Sequence, residues 1–95
     1  MRARQIAENR LAFRCPGCGT VHVVAINRDG SQEGGSWAWN GNLNKVTLHP
    51  SVKVVGDAGY VHCHSFVADG RIQFLTDSPH ALAGMTVDLP DWPED

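Results

Sequence analysis

"VADGRI", residues 67–72, decides how this chain folds. Asp69-Gly70 is the pair that a two-residue type I′ turn demands, because both central positions must adopt positive φ. Apolar residues flank the turn on each side, so the stretch reads as the tip of a β-hairpin. Closing the chain there pairs Val67 with Ile72, Ser65 with Phe74, Cys63 with Thr76 and His62 with Asp77. Successive side chains of a strand face opposite ways. Cys63, Ser65, Val67, Ile72 and Phe74 are therefore expected on one face, and His62, His64, Leu75 and Asp77 on the other.

The same rhythm runs outward from the hairpin. Short apolar bursts are broken every eight to twelve residues by Gly, Asn and Asp, which is the spacing of an all-β domain. Strands are expected at Arg10–Arg14, Val21–Ile26, Ser36–Trp39, Ser51–Val55, Val61–Val67, Arg71–Leu75 and Met85–Leu89. Turns are expected at "NRDG", "EGG", "WNGN" and "GDAG". Only "DSPHALAG" reads as helical, with Ser78 as N-cap, Pro79 in the first turn and Gly84 as the stop. The tail "LPDWPED", with two prolines, reads as extended or frayed. The fold class is mainly β: a small antiparallel sheet and hairpin fold with a zinc knuckle and at most one helical turn.

Ninety-five residues make one domain, 1–95, with a thin core. Scaffolds of this size commonly add a disulfide, a metal or a partner. A net charge of −2 gives no electrostatic reason to expect nucleic acid or an anionic membrane. No apolar run is long enough to span a bilayer, and the N-terminus lacks the apolar core of a secretion signal. The expected location is the cytoplasm. Three cysteines are an odd count for a disulfide framework and suit a metal better.

"FRCPGCGTVH", residues 13–22, supplies half of such a site. Two thiolates on a tight turn chelate zinc at little entropic cost. A redox Cys-x-x-Cys would need a helix N-terminus after the pair, and here a β-run follows. Cys63 is the expected third ligand, against the plain alternative of a buried thiol packing as a small hydrophobe. His22, His64 and His80 all compete for the fourth position, and His80, approaching from the helical turn, is chosen. The ligand set is then Cys15, Cys18, Cys63 and His80 around Zn2+.

Two other constellations carry chemistry. His62 and His64 on one face, with Asp77 across the hairpin, form a His-His-Asp pattern that could hold a second, open metal. The plain alternative is one exposed histidine and one bonded to backbone. Ser51, at a strand start after His49-Pro50, could be a nucleophile with His64 as base and Asp77 as the orienting carboxylate. Serine after proline is also simply common at strand starts. Trp37 and Trp39 in "SWAWNG" share a face and read as core before ligand platform.

The order "CPGCG…H", "WxWNG", "PSV", "CHSFVADGRIQFLTDSPHALAG" and "TVDLP" resembles a family of small phage and bacterial proteins often labelled ammonia monooxygenases. The resemblance spans about Leu11 to Trp92. The family is similar, more distantly, to the peptidase component of bacterial ubiquitination-like (Bub) operons. That resemblance implies a small zinc-bearing β domain and peptidase or esterase chemistry centred on Ser51, on Cys63-His64 and on Asp77 and His80. His49 before "PSV" and His62 before the Cys-His pair depart from the family's pattern.

Two functions follow. One is a zinc-stabilised phage or mobile-element module that binds a host or virion protein, the reading the short chain favours. The other is a serine or zinc hydrolase, with Ser51 as nucleophile and His64 as base. Neither fixes the oligomeric state.

Overall fold

The structure, a computed structural model, describes residues 1–27, 36–55 and 61–92. The turns expected at "EGG" and "GDAG", and all of "NRDG" beyond Asn27, lie outside those residues. Within them the chain forms strands β1 (Ala3–Ala7), β2 (Arg10–Cys15), β3 (Thr20–Ala25), β4 (Ala38–Trp39), β5 (Leu48–His49), β6 (Val52–Val55), β7 (Val61–Ala68), β8 (Arg71–Phe74) and β9 (Thr86–Asp88). Three antiparallel sheets result, ordered β1-β2-β3, β4-β5 and β6-β7-β8-β9.

The hairpin at Asp69-Gly70 forms in the expected register, with Ser65 opposite Phe74 and Val67 opposite Ile72. Asp69 has φ 55° and Gly70 φ 75°, the two left-handed residues of a type I′ turn. The tip is held in place: Gly70 N–H donates to the Val46 carbonyl at 3.0 Å and Asp69 N–H to Thr47 Oγ1 at 3.0 Å. Cys63, Ser65, Val67, Ile72 and Phe74 are buried together, whereas His62 is exposed. They join Leu11, Phe13, Cys15, Val24, Ile26, Val46, Leu48, Val52 and Leu89 in one core that unites the sheets. Trp37 and Trp39 pack partly buried against it, as a core reading requires.

Two strands appear that the sequence reading does not name, the helical reading is overturned, and the extended tail proves anchored. β1 appears because it pairs with β2, yet only Ala3 of its "ARQIA" points inward, so the sequence shows no apolar alternation there. β5 is only two residues long, too short for periodicity. Residues 75–85 form successive turns instead of a helix, and no helix occurs among the described residues. Their bonds are of the short turn type, Ser78 N–H to Leu75 at 3.0 Å, Ala83 N–H to His80 at 3.2 Å and Met85 N–H to Leu82 at 2.9 Å. The tail is not frayed as far as Trp92: Leu89 is fully buried, its N–H bonds Gly70, and Trp92 N–H bonds the Met1 carbonyl at 2.7 Å.

Candidate functional site

β7 carries two kinds of chemistry on its two faces. Cys63 points into the core, and His64, its neighbour, points the other way with its side chain 20% exposed. On the His64 side lies Ser51, the residue before β6, which enters the strand after the cis His49-Pro50 peptide. The β6–β7 pairing sets Val52 opposite Ser65 and Lys53 opposite His64, so Ser51, two residues before Lys53, shares the face of His64 as its diagonal neighbour. Ser51 Oγ is 3.0 Å from His64 Nε2. His64 Nδ1 is 3.0 Å from Asp77 Oδ2 and 3.2 Å from Oδ1.

The tautomer follows from the carboxylate, which can only accept when ionised. Nδ1 then carries the proton, and Nε2 presents its lone pair to the Ser51 hydroxyl. Trp37 Nε1–H donates to the Ser51 carbonyl at 3.3 Å and ties the Ser51 backbone to a ring packed on the core.

Asp77 reaches His64 because the β7–β8 ladder breaks off there. Leu75 N–H still donates to the His64 carbonyl at 2.9 Å, but the Leu75 carbonyl turns back to accept from Ser78 N–H. The vacated bond is made by Ser78: His64 N–H donates to Ser78 Oγ at 3.0 Å, and the Ser78 hydroxyl donates to the His64 carbonyl at 2.9 Å. The expected Cys63–Thr76 and His62–Asp77 pairs are therefore absent from the ladder. Ser78, read from sequence as a helix cap, is a buried hydroxyl standing in for a strand.

On the other face the knuckle closes as the spacing suggests. Cys15 pairs with Thr20 across a four-residue loop, Gly19 takes φ 69°, and Cys18 N–H points at Cys15 Sγ at 3.4 Å. Cys15 Sγ lies 3.7 Å from Cys63 Sγ, joining the β2–β3 hairpin to β7. Ligand atoms of Cys15, Cys18, His22 and Cys63 all lie within 4.8 Å of one another. His22 is buried, its Nε2 has no hydrogen-bond partner, and its ring meets Phe13 edge-on at 5.5 Å. A buried imidazole nitrogen without a partner beside three sulfurs is costly unless something binds it. Three thiols and one imidazole fit a soft metal held tetrahedrally.

The thiols differ. Burial opposes ionisation of Cys15, yet the His22 imidazole and the Cys18 amide beside it bring its pKa down to about 7. Burial, with the neighbouring Cys15, pushes Cys63 well up, and burial also raises Cys18.

His80 stands at the edge of this cluster. Its Nε2 is 3.6 Å from Cys63 Sγ, its ring lies edge-on to Phe74 at 4.5 Å, and its Nδ1 accepts the Leu82 N–H at 3.3 Å. An imidazole that accepts at Nδ1 carries its ring proton at Nε2, so His80 offers Cys63 a proton and no lone pair. The sequence weighs His22 for the fourth position and favours His80, whereas the structure gathers His22 with the three cysteines. Its signal was there: Cys15 opposite Thr20 makes His22 the diagonal cross-strand neighbour of Cys15. The His62-His64-Asp77 constellation is not gathered as a ligand set among the described residues.

A family described as "Bacterial ubiquitination-like system serine protease (BubE)" matches residues 1–75, a stretch that holds Ser51, His64 and the three cysteines. The chain belongs to the BubE family. No curated protein and no solved structure matches it. The BubE match ends two residues before Asp77, so the carboxylate of this relay enters from geometry alone. No helix among the described residues of this BubE chain is long and apolar enough to cross a membrane.

Proposed function

We propose that this chain is a serine hydrolase of peptide or ester bonds whose metal site is structural. The observation that carries it is the continuous relay from Ser51 Oγ through His64 to Asp77. Ser51 attacks the substrate carbonyl while His64 Nε2 takes the hydroxyl proton. Asp77 holds the ring in the reactive tautomer and balances the imidazolium that forms. His64 then returns the proton to the leaving group, the C–N or C–O bond breaks, and an acyl ester remains on Ser51. Water, deprotonated by the same nitrogen, releases the acid. A binding module needs no such relay, so the geometry favours the hydrolase of the two readings.

Cys15, Cys18, Cys63 and His22 would hold Zn2+ with all four positions filled, and its contribution is a cross-link between the two hairpins. His80 would act from outside that set as a donor to the Cys63 sulfur, replacing the ligand role expected of it from sequence. The family's description as the protease of a ubiquitination-like system supports a peptide bond near the carboxyl end of a small protein modifier as substrate, encountered in the cytoplasm.

The test is a fluorophosphonate probe on the zinc-loaded protein. Labelling of the wild type that is abolished in Ser51→Ala supports the reading. An unlabelled wild type with fold and zinc intact would overturn it.

A further inference from the structure

We infer that Ser78 is a positioning residue of the relay: its hydroxyl replaces the last rung of the β7–β8 ladder and so allows the turn that presents Asp77 to His64. The inference rests on the hydrolase reading for its catalytic consequence, though not for its geometry. Residues opposite each other in a hydrogen-bonded antiparallel pair exchange both backbone bonds. His64 and Leu75 make only one of the two, the Leu75 N–H to the His64 carbonyl. The Leu75 carbonyl instead accepts from Ser78 N–H and closes a turn over residues 75–78.

That turn would leave the His64 N–H without a partner, and such orphan donors are rare because they are costly. Ser78 Oγ accepts from it at 3.0 Å and donates to the His64 carbonyl at 2.9 Å. A serine hydroxyl can do both at once, as donor and acceptor. Ser78 is 4% exposed, so water cannot readily take over either bond.

The turn matters for Asp77 because nothing else fixes it by burial. The Asp77 side chain is 49% exposed, and its contact with His64 Nδ1 is held by where the backbone places it. Without the Ser78 hydroxyl, the Leu75 carbonyl can return to the His64 N–H, completing the ladder and unwinding the turn. Asp77 would then stand opposite His62 on the continuing strand, on the His64 face but displaced from the place where it meets Nδ1. Displacements of this order cost on the order of 10²-fold in rate when they misplace a reacting group.

The experiment uses the zinc-loaded full chain and two readouts. One is the downfield proton resonance of His64 Nδ1–H bonded to a carboxylate, assigned by its loss in His64→Gln. The other is fluorophosphonate labelling resolved into a maximal rate and a half-saturation concentration. Ser78→Ala should lose the resonance and lower the maximal rate on the order of 10²-fold with half-saturation unchanged. Ser78→Thr, which keeps the hydroxyl, should restore both. A resonance and a maximal rate unchanged in Ser78→Ala would overturn the inference, whatever happens to melting temperature. If Ser78→Ala does not fold, Ser78→Cys, close in volume with a weak donor and acceptor, is read by the same two signals with the same expected losses. A wild type that resists labelling sinks the hydrolase reading, and the resonance still decides what Ser78 does.

Discussion

Cys63 and His64 are consecutive on β7 and serve opposite faces of one sheet, the first in the thiol cluster and the second between Ser51 and Asp77. A β-strand makes this separation unavoidable, because neighbouring side chains diverge. It also makes the two sites share a backbone. Stripping the metal should loosen β7 from the knuckle and disturb His64 through its neighbour. Cys63→Ser is expected to bring bound zinc from about one ion per chain to about none, lower thermal stability, and lose Ser51 labelling together with the metal. Elemental analysis, melting curves and the probe check this. A metal-free variant that labels at the wild-type rate would show the two faces to be independent.

The converse change should be silent at the metal. Ser51→Ala removes a hydroxyl that the metal cluster does not use and should keep both zinc and fold. Turnover should fall by on the order of 10⁶-fold, the scale for loss of an activated serine. Asp77→Asn keeps the shape but not the tautomer, and about 10⁴-fold is expected. Turnover of a fluorogenic ester would measure both, and an Asp77→Asn protein at wild-type rate would remove Asp77 from the relay.

Metal binding should release protons in a count set by the unequal thiols. Cys15, held down to about 7, is largely thiolate at pH 8, whereas Cys18 and Cys63 are pushed up and carry their protons. Zinc takes thiolates only, so loading at pH 8 should displace about two thiol protons, and affinity should rise with pH through that range. Proton release in weakly buffered indicator solution counts them. About three would mean that Cys15 is not held down by His22 and the Cys18 amide.

Gly17 has no room for a side chain. A Cβ there would come within 2.6 Å of His80 Nε2, beneath the ring that faces Cys63. Gly17→Ala should push His80 aside, cost about 1–3 kcal/mol of stability through overpacking, and weaken zinc binding about 10-fold through loss of the donor to Cys63. Chelator competition reads the second effect. Unchanged affinity would place His80 outside the metal's business.

The hairpin at Asp69-Gly70 was legible because a type I′ turn leaves few residue choices, and its register carried Cys63 and His64 to their correct faces. Ser51, His64 and Asp77 could be named as a set from that register, but no pattern reports a 3.0 Å contact between a strand start and its neighbour. The residues after Phe74 misled for a physical reason. Ser-Pro followed by His, Ala, Leu and Ala satisfies the local rules of a helix start, yet the Ser78 hydroxyl is engaged with a strand 14 positions away. Tertiary bonding overrode local preference there. β1 was invisible because an edge strand with one inward side chain has no alternation to read.

The run from Asp77 to His80 addresses both faces of β7 at once: Asp77 bonds the His64 ring, Ser78 bonds the His64 backbone, and His80 meets the Cys63 sulfur. Three contacts made by four consecutive residues fix a length as well as a composition. One residue added or removed between Asp77 and His80 would put at least one contact out of step with its partner, however conservative the residue. Loops elsewhere on such a small domain can lengthen at modest entropic cost, whereas this one works as a spacer cut to size, more tolerant of altered letters than of an altered count.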